Sequence, residues 1–205
     1  MIARTAKLPP SLAQWIAMRS LLLARHGQTS WNALGKLQGH TDIALDDIGR
    51  DQARALARSL ATAEIRTVWT SDLGRARETG EIIAAALGLA PPRTDPELRE
   101  RKFGVFEGLT RDECATQHPE HWAAWLAQAS SPPGGEPRED AVARMARALE
   151  RIALLDAGPA LVVSHGGVMR LWLMQLLGTT IPLIANGATF LVDHTGGTFA
   201  LRHRE

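Results

Sequence analysis

Two apolar segments of this chain, Leu21-Leu-Leu-Ala24 and Ala160-Leu-Val-Val163, both run into a polar residue followed by His-Gly. That repeated design constrains the fold more than any other feature. A short run of large aliphatic residues suits a strand covered on both faces, as in parallel sheets flanked by helices. In such sheets ligands bind outside the carboxyl ends of the strands, and a glycine just past the last side chain lets the backbone approach a bound group. Two such strands lying side by side would bring His26, His165 and Arg25 to one crevice. A guanidinium whose planar fork matches phosphate oxygens, beside imidazoles that titrate near neutrality, suits an anion. One histidine at a strand end is ordinarily a satisfied turn residue. Two in matched contexts weaken that reading.

A third junction lies between them, where Arg66-Thr-Val-Trp69 reads as a strand and Thr70-Ser-Asp-Leu-Gly-Arg75 as the start of a helix. Ser71 or Asp72 is the expected N-cap. Arg75 falls in the opening turn, where unpaired N–H groups and the helix dipole favour an anion. Its plainer reading is a solvated helix arginine, which fits Arg77 better. A fourth element, Glu97 to Gly108, sets Glu100 among bases, where an exposed carboxylate commonly forms a weak pair, here with Arg99 or Arg101.

Arg25-His26-Gly27 with Asn32, Ser71-Asp-Leu with Arg75, Leu98-Arg-Glu100 before Phe103-Gly104, and Ser164-His-Gly-Gly167, in that order, resemble the histidine phosphatase superfamily in its phosphoglycerate mutase-like branch. The resemblance runs from about Leu21 to the C-terminus. It implies a three-layer α/β/α fold whose sheet is mostly parallel with an antiparallel edge. It also implies that His26 accepts a phosphoryl group as a nucleophile, dividing one displacement into two. Arg25, Arg75 and His165 would neutralise the charge on the transferred group, with Asn32 and Gly166 adding phosphate contacts. Glu100 is similar to the family's proton donor. With Glu100 the one proposed carboxylate, no metal and no cofactor is expected.

The 205 residues suit one α/β domain, and 45% hydrophobic content supports a sizeable core. We expect residues 20–205 to form that domain, 1–19 an N-terminal extension, and 110–137 an insertion over the active site. A net charge of +1 without a basic stripe argues against nucleic acid as a partner. The single Cys114 precludes an intrachain disulfide and is expected to be a packing residue in a cytoplasmic protein. Met1 to Arg19 has neither a secretory h-region nor the length of a membrane span. Translation could instead begin at Met18, or Leu12, Trp15 and Ile16 could pack as a helical turn; oligomeric state is open.

Helical faces are expected from Ile48, Ala53, Leu56, Ala57 and Leu60 behind an Asp46-Asp47 cap, from Ala76, Thr79, Ile83, Ala86 and Leu87, and from Val142, Met145, Ala146, Leu149 and Ala153. The segment Val168 to Leu177 is apolar nearly all round and should be largely buried. Phe190 to Asp193 and Thr198 to Arg202 read as a closing hairpin. Trp122, Trp125, Leu126 and Ala129 share one face of a helix opened by Pro119, more in keeping with packing than with substrate contact. Glu136 is followed by Pro137 where the family often has Ser, which leaves its role open. His40, His118, His121, His194 and His203 are read as surface residues.

Within the family, a mutase must hold a second acidic group and keep water from the phosphohistidine. The short stretch between Phe103 and Ser164, with Arg111 its one Arg or Lys from Thr110 to Pro137, favours hydrolysis of a small phosphomonoester. Arg99, Arg101 and Lys102 remain available for a substrate carboxylate, which keeps the phosphoglycerate mutase alternative. Ribazole phosphate phosphatases and broad-specificity phosphatases are both similar. A scaffold that binds phosphate or protein without catalysis is the alternative of another class, and the intact catalytic set disfavours it.

Overall fold

Strand β1 (Arg19–Arg25) sends Leu21 and Leu23 to one face of its sheet and Leu22 and Ala24 to the other, and all four are buried because helices cover both faces. A computed structural model describes residues 19–156 and 158–202. The N-terminal extension with its candidate turn at Leu12, Trp15 and Ile16, the alternative start at Met18, and His203 lie outside the described residues. The remaining strands are β2 (Thr67–Thr70), β3 (Arg93–Thr94), β4 (Ala160–Ser164), β5 (Thr189–Thr195) and β6 (Thr198–Leu201), in the order β3-β2-β4-β1-β5-β6. The first four of that order are parallel; β5 and β6 form the expected hairpin and make the antiparallel edge.

Between the strands run α1 (Ser30–Ala33), α2 (Asp47–Ser59), α3 (Gly74–Ala86), α4 (Arg111–Gln117), α5 (Pro119–Leu126), α6 (Arg138–Leu155) and α7 (Gly166–Leu177). Leu21, Leu23 and Val162 pack against Met145, Leu149 and Ile152 of α6 and Met169 and Leu173 of α7. On the opposite face Leu22, Ala24, Val68 and Val163 meet Ala57 of α2 and Ala76 and Ile83 of α3. Each fully buried Leu or Ile contributes about 1.5–3 kcal/mol. This is the three-layer α/β/α arrangement.

Several local expectations need correction. Ile48 is 57% exposed, because the inner stripe of α2 is Gly49, Ala53 and Ala57, whose small residues admit close approach. Asp46 caps α2 as expected, accepting from the Gly49 N–H at 2.7 Å. Ala86 is exposed and Ala84 takes its place inside, one step round the face of Ala76, Gly80 and Ile83. Only one face of α7 is buried, and Gln175 and Leu177 lie outside. Leu126 is 55% exposed and Ala129 lies beyond the end of α5, so Trp122 carries the packing of that segment with Phe103, Phe106 and the buried Cys114. Neither Ser71 nor Asp72 caps α3, which opens after Leu73. Asp72 is drawn into a pair with Arg99, and the Gly74 N–H is taken by the Asp42 carboxylate at 2.8–2.9 Å.

Candidate active site

Strands β1 and β4 end level, with Arg25 paired to Ser164, so the two His-Gly turns start side by side. The rings of His26 and His165 lie edge to face with centroids 5.0 Å apart. Arg75, from the first turn of α3, is fully buried beside them, and its Nε–H donates to His165 Nδ1 at 3.2 Å. Its other nitrogens donate to the carbonyls of Thr41 and Gly39 at 3.1 and 2.7 Å, which fixes the guanidinium plane. The plainer solvated reading of Arg75 is therefore wrong, while Arg77 is solvated.

The two imidazoles are held in opposite tautomers. His26 Nδ1 lies 2.6 Å from the carbonyl of Gly27, which can only accept, so Nδ1 carries the proton and Nε2 keeps its lone pair. His165 Nδ1 accepts from Arg75, so its proton is on Nε2, and that atom is buried without a partner. Arg25 Nε and Gln38 Nε2 are likewise buried and unpartnered. Buried donors are normally satisfied; three unsatisfied ones around one pair of histidines describe a place for an acceptor-rich anion. Burial, reinforced by Arg75 and Arg25, holds His26 well below 6.5, and burial with Arg75 does the same for His165. Burial also lowers Arg75, to about 10, while the carboxylates of Glu100, Asp42 and Glu107 act in the opposite sense.

Glu100 is buried and pairs with neither expected arginine. Its Oε1 accepts the N–H groups of Arg101 and Val168 and its Oε2 that of Gly167, each at 2.7 Å, so it closes the N-terminus of α7. Arg99 is bound to Asp72, and Arg101 donates to the Glu136 carbonyl and Ser131. Gly166 has no room for a side chain, since a Cβ there would lie 2.9 Å from Arg25 Nε. Asn32 shares its Oδ1 with the Thr29 N–H and with Asn186.

Arg25, His26, Asn32, Glu100 and Gly166 line a crevice of about 390 Å³, whereas the fully buried Arg75 and His165 are not among its lining residues. Its outer wall carries Lys36, Arg111 and Arg170 together with Trp125 and Leu183. None of those three cations has a carboxylate within 4.0 Å among the described residues. Trp125 thus faces the crevice while Trp122 packs beneath it, which divides the two tryptophans that the sequence treats alike.

Sequence reasoning missed Gln38, Asn186 and Arg170. Asn186 donates to the His26 carbonyl at 3.0 Å and to Asn32 at 3.1 Å, and it comes from the loop before β5, far away in the chain. Arg170 follows His165 by a helical turn and a half, a spacing that could have flagged it. Three of the histidines read as surface residues are otherwise: His194 is buried against Phe199, half-buried His40 reaches the Glu100 carbonyl at 2.9 Å, and half-buried His118 lies against Phe106. Among the described residues no helix is long and apolar enough to cross a membrane.

Paired strand-end histidines beside buried, unpartnered donors suit an anion such as phosphate, and residues 21–204 match the model of the histidine phosphatase superfamily, branch 1, to which this chain belongs. Over 155 residues it is 42% identical to phosphoglycerate mutase-like protein 4 of Arabidopsis thaliana, covering 73% of this chain and 67% of that protein. It is 37% identical to the metal-independent phosphoserine phosphatase of the same plant, over 73% of this chain and 65% of that one, so the chain spans about two thirds of these relatives. A mycobacterial glucosyl-3-phosphoglycerate phosphatase, solved with VO3, superposes with a TM-score of 0.80 at 28% identity, covering 91% of this chain and 98% of that one.

Proposed function

We propose that this chain hydrolyses a small phosphomonoester through a phosphohistidine on His26. One observation carries the reading most directly: the Gly27 carbonyl holds the proton on His26 Nδ1 and leaves the Nε2 lone pair to attack. In the first step that lone pair forms a bond to phosphorus as the ester P–O bond breaks. Arg25, Arg75, His165 Nε2–H, Asn32 and the Gly166 turn stabilise the charge on the equatorial oxygens, the largest contribution a protein makes to phosphoryl transfer. Three of the four lone-pair sites on the Glu100 carboxyl are taken by backbone N–H groups. The fourth, on Oε2, is where a proton would sit for delivery to the leaving alkoxide. Glu100 then takes a proton from the attacking water, the P–N bond breaks, and phosphate leaves.

The alcohol half of the ester would face Lys36, Arg111, Arg170 and Trp125, a wall suited to an alcohol that carries a negative charge of its own. We read residues 20–205 as one catalytic domain with 110–137 laid over its crevice, supported by Arg111 and Trp125 in the lining. We place the enzyme in the cytoplasm, free of metal, cofactor and nucleic acid. Rapid quench with a labelled phosphomonoester should trap phosphate on His26 as a species stable to base and labile to acid, unaffected by exhaustive chelation and suppressed by vanadate. A screen of metabolite phosphates, with 3-phosphoglycerate tested with and without its bisphosphate, separates hydrolase from mutase. Turnover without a trapped phosphoenzyme would remove the nucleophile assignment.

A further inference from the structure

Four consecutive carbonyls lead up to the carboxyl of Glu100, and a side chain holds every one. Arg144 Nη1 donates to Glu97 O at 2.7 Å and Arg99 O at 2.6 Å, and its Nη2 to Glu100 O at 2.9 Å. Ser164 Oγ–H donates to Leu98 O at 2.8 Å. The rest of the Arg144 fork meets Glu136, with Nε on Oε1 at 2.7 Å and Nη2 on Oε2 at 2.8 Å. All five N–H groups of this guanidinium are thereby engaged. Glu136 grips the other side of the acid: its N–H donates to the Lys102 carbonyl at 2.9 Å and its own carbonyl accepts from Arg101 Nε at 2.8 Å. The pair is mostly buried, with side chains 12% and 17% exposed.

A buried ion pair adds little stability over apolar packing of the same volume. What this one fixes is the path of residues 97–102, with the Glu100 carboxyl at its centre. We propose that Arg144 and Glu136 are positioning residues that aim the Glu100 proton at the leaving oxygen. They touch no substrate, and their effect on the reaction passes through Glu100. The inference rests on Glu100 being the proton donor and names what keeps it in line.

The experiment compares an alkyl phosphate, whose alkoxide needs the proton, with p-nitrophenyl phosphate, whose phenolate does not, in the first turnover by rapid quench. Arg144→Lys keeps the charge but cannot span three carbonyls and a carboxylate. It should slow phosphorylation by the alkyl ester about 10²-fold, the effect of roughly 1 Å of misplacement, and the aryl ester far less. Glu136→Gln should show the same selectivity more weakly, and it serves if the lysine variant does not fold. In a Glu100→Gln background, adding Arg144→Lys should bring no further loss on the alkyl ester. Equal slowing of both esters by Arg144→Lys, or losses that multiply in the double variant, would overturn the positioning role. Selective loss in Glu100→Gln with Arg144→Lys indifferent overturns positioning and leaves the acid standing. Equal loss of both esters in Glu100→Gln removes the acid and the inference with it.

Discussion

The two His-Gly turns are nearly interchangeable in sequence, yet the structure gives them opposite chemistry. At the end of β1 the partner of Nδ1 is a carbonyl, so His26 presents a lone pair; at the end of β4 it is the Arg75 guanidinium, so His165 presents an N–H. A strand-end histidine presents a lone pair or an N–H according to what its inner nitrogen faces. The motif supplies the position; the tautomer is set by the next carbonyl of the turn at His26 and by an arginine from a different strand-helix unit at His165.

The largest effect that would break this comparison comes from His26→Ala. It should abolish the phosphoenzyme and lower turnover by something like 10⁴–10⁶-fold, as loss of a covalent nucleophile does elsewhere. Quantitative labelling in that variant would show the roles to be misassigned. His165→Ala should still form the phosphoenzyme, about 10²–10³-fold more slowly, the usual result of deleting one donor to a developing charge. His165→Gln, whose amide N–H reaches the region of Nε2, should recover part of that loss in the same single-turnover measurement.

Acidity sharpens the comparison in another way. Burial and the neighbouring arginines hold both histidines below 6.5 in the folded protein, whereas in the unfolded chain they titrate near 6.5. The unfolded state binds more protons in that window, so stability is full above pH 6.5 and declines as pH falls. Each histidine contributes up to about 1.4 kcal/mol per pH unit. Urea midpoints at pH 7 and 5.5 should reveal the decline, and His165→Gln should make it shallower; identical midpoints would contradict it. The smallest effect belongs to the outer wall. Arg170→Ala should raise KM for an acidic phosphate ester about fivefold, as befits ~1 kcal/mol from a partly exposed charge, and leave a neutral ester unchanged in the same assay.

The strand ends were legible because hydrophobic runs and glycines are local signals, and so was the three-layer plan. What the sequence could not reveal were partnerships between distant segments. Ser71 and Asp72 look like N-caps until Arg99 claims Asp72 and Asp42 arrives from another loop. Arg77 and Arg75 are spelled alike, and only tertiary contact buries one of them. Asn186 and Gln38 sit in unremarkable loops, and their importance lies in what they face.

A Cβ at Gly27 would overlap the carbonyl of Gly49, and one at Gly49 would overlap the backbone of Gln28. Bare main chain therefore meets bare main chain directly behind His26. That contact divides the molecule by how freely it can vary. Gly27 and Gly49 leave no room for a side chain, while Lys36, Arg111, Trp125, Arg170 and Leu183 stand on the far wall as separate side chains from separate elements. Side chains on that wall can therefore change one at a time without disturbing the backbone contact behind His26.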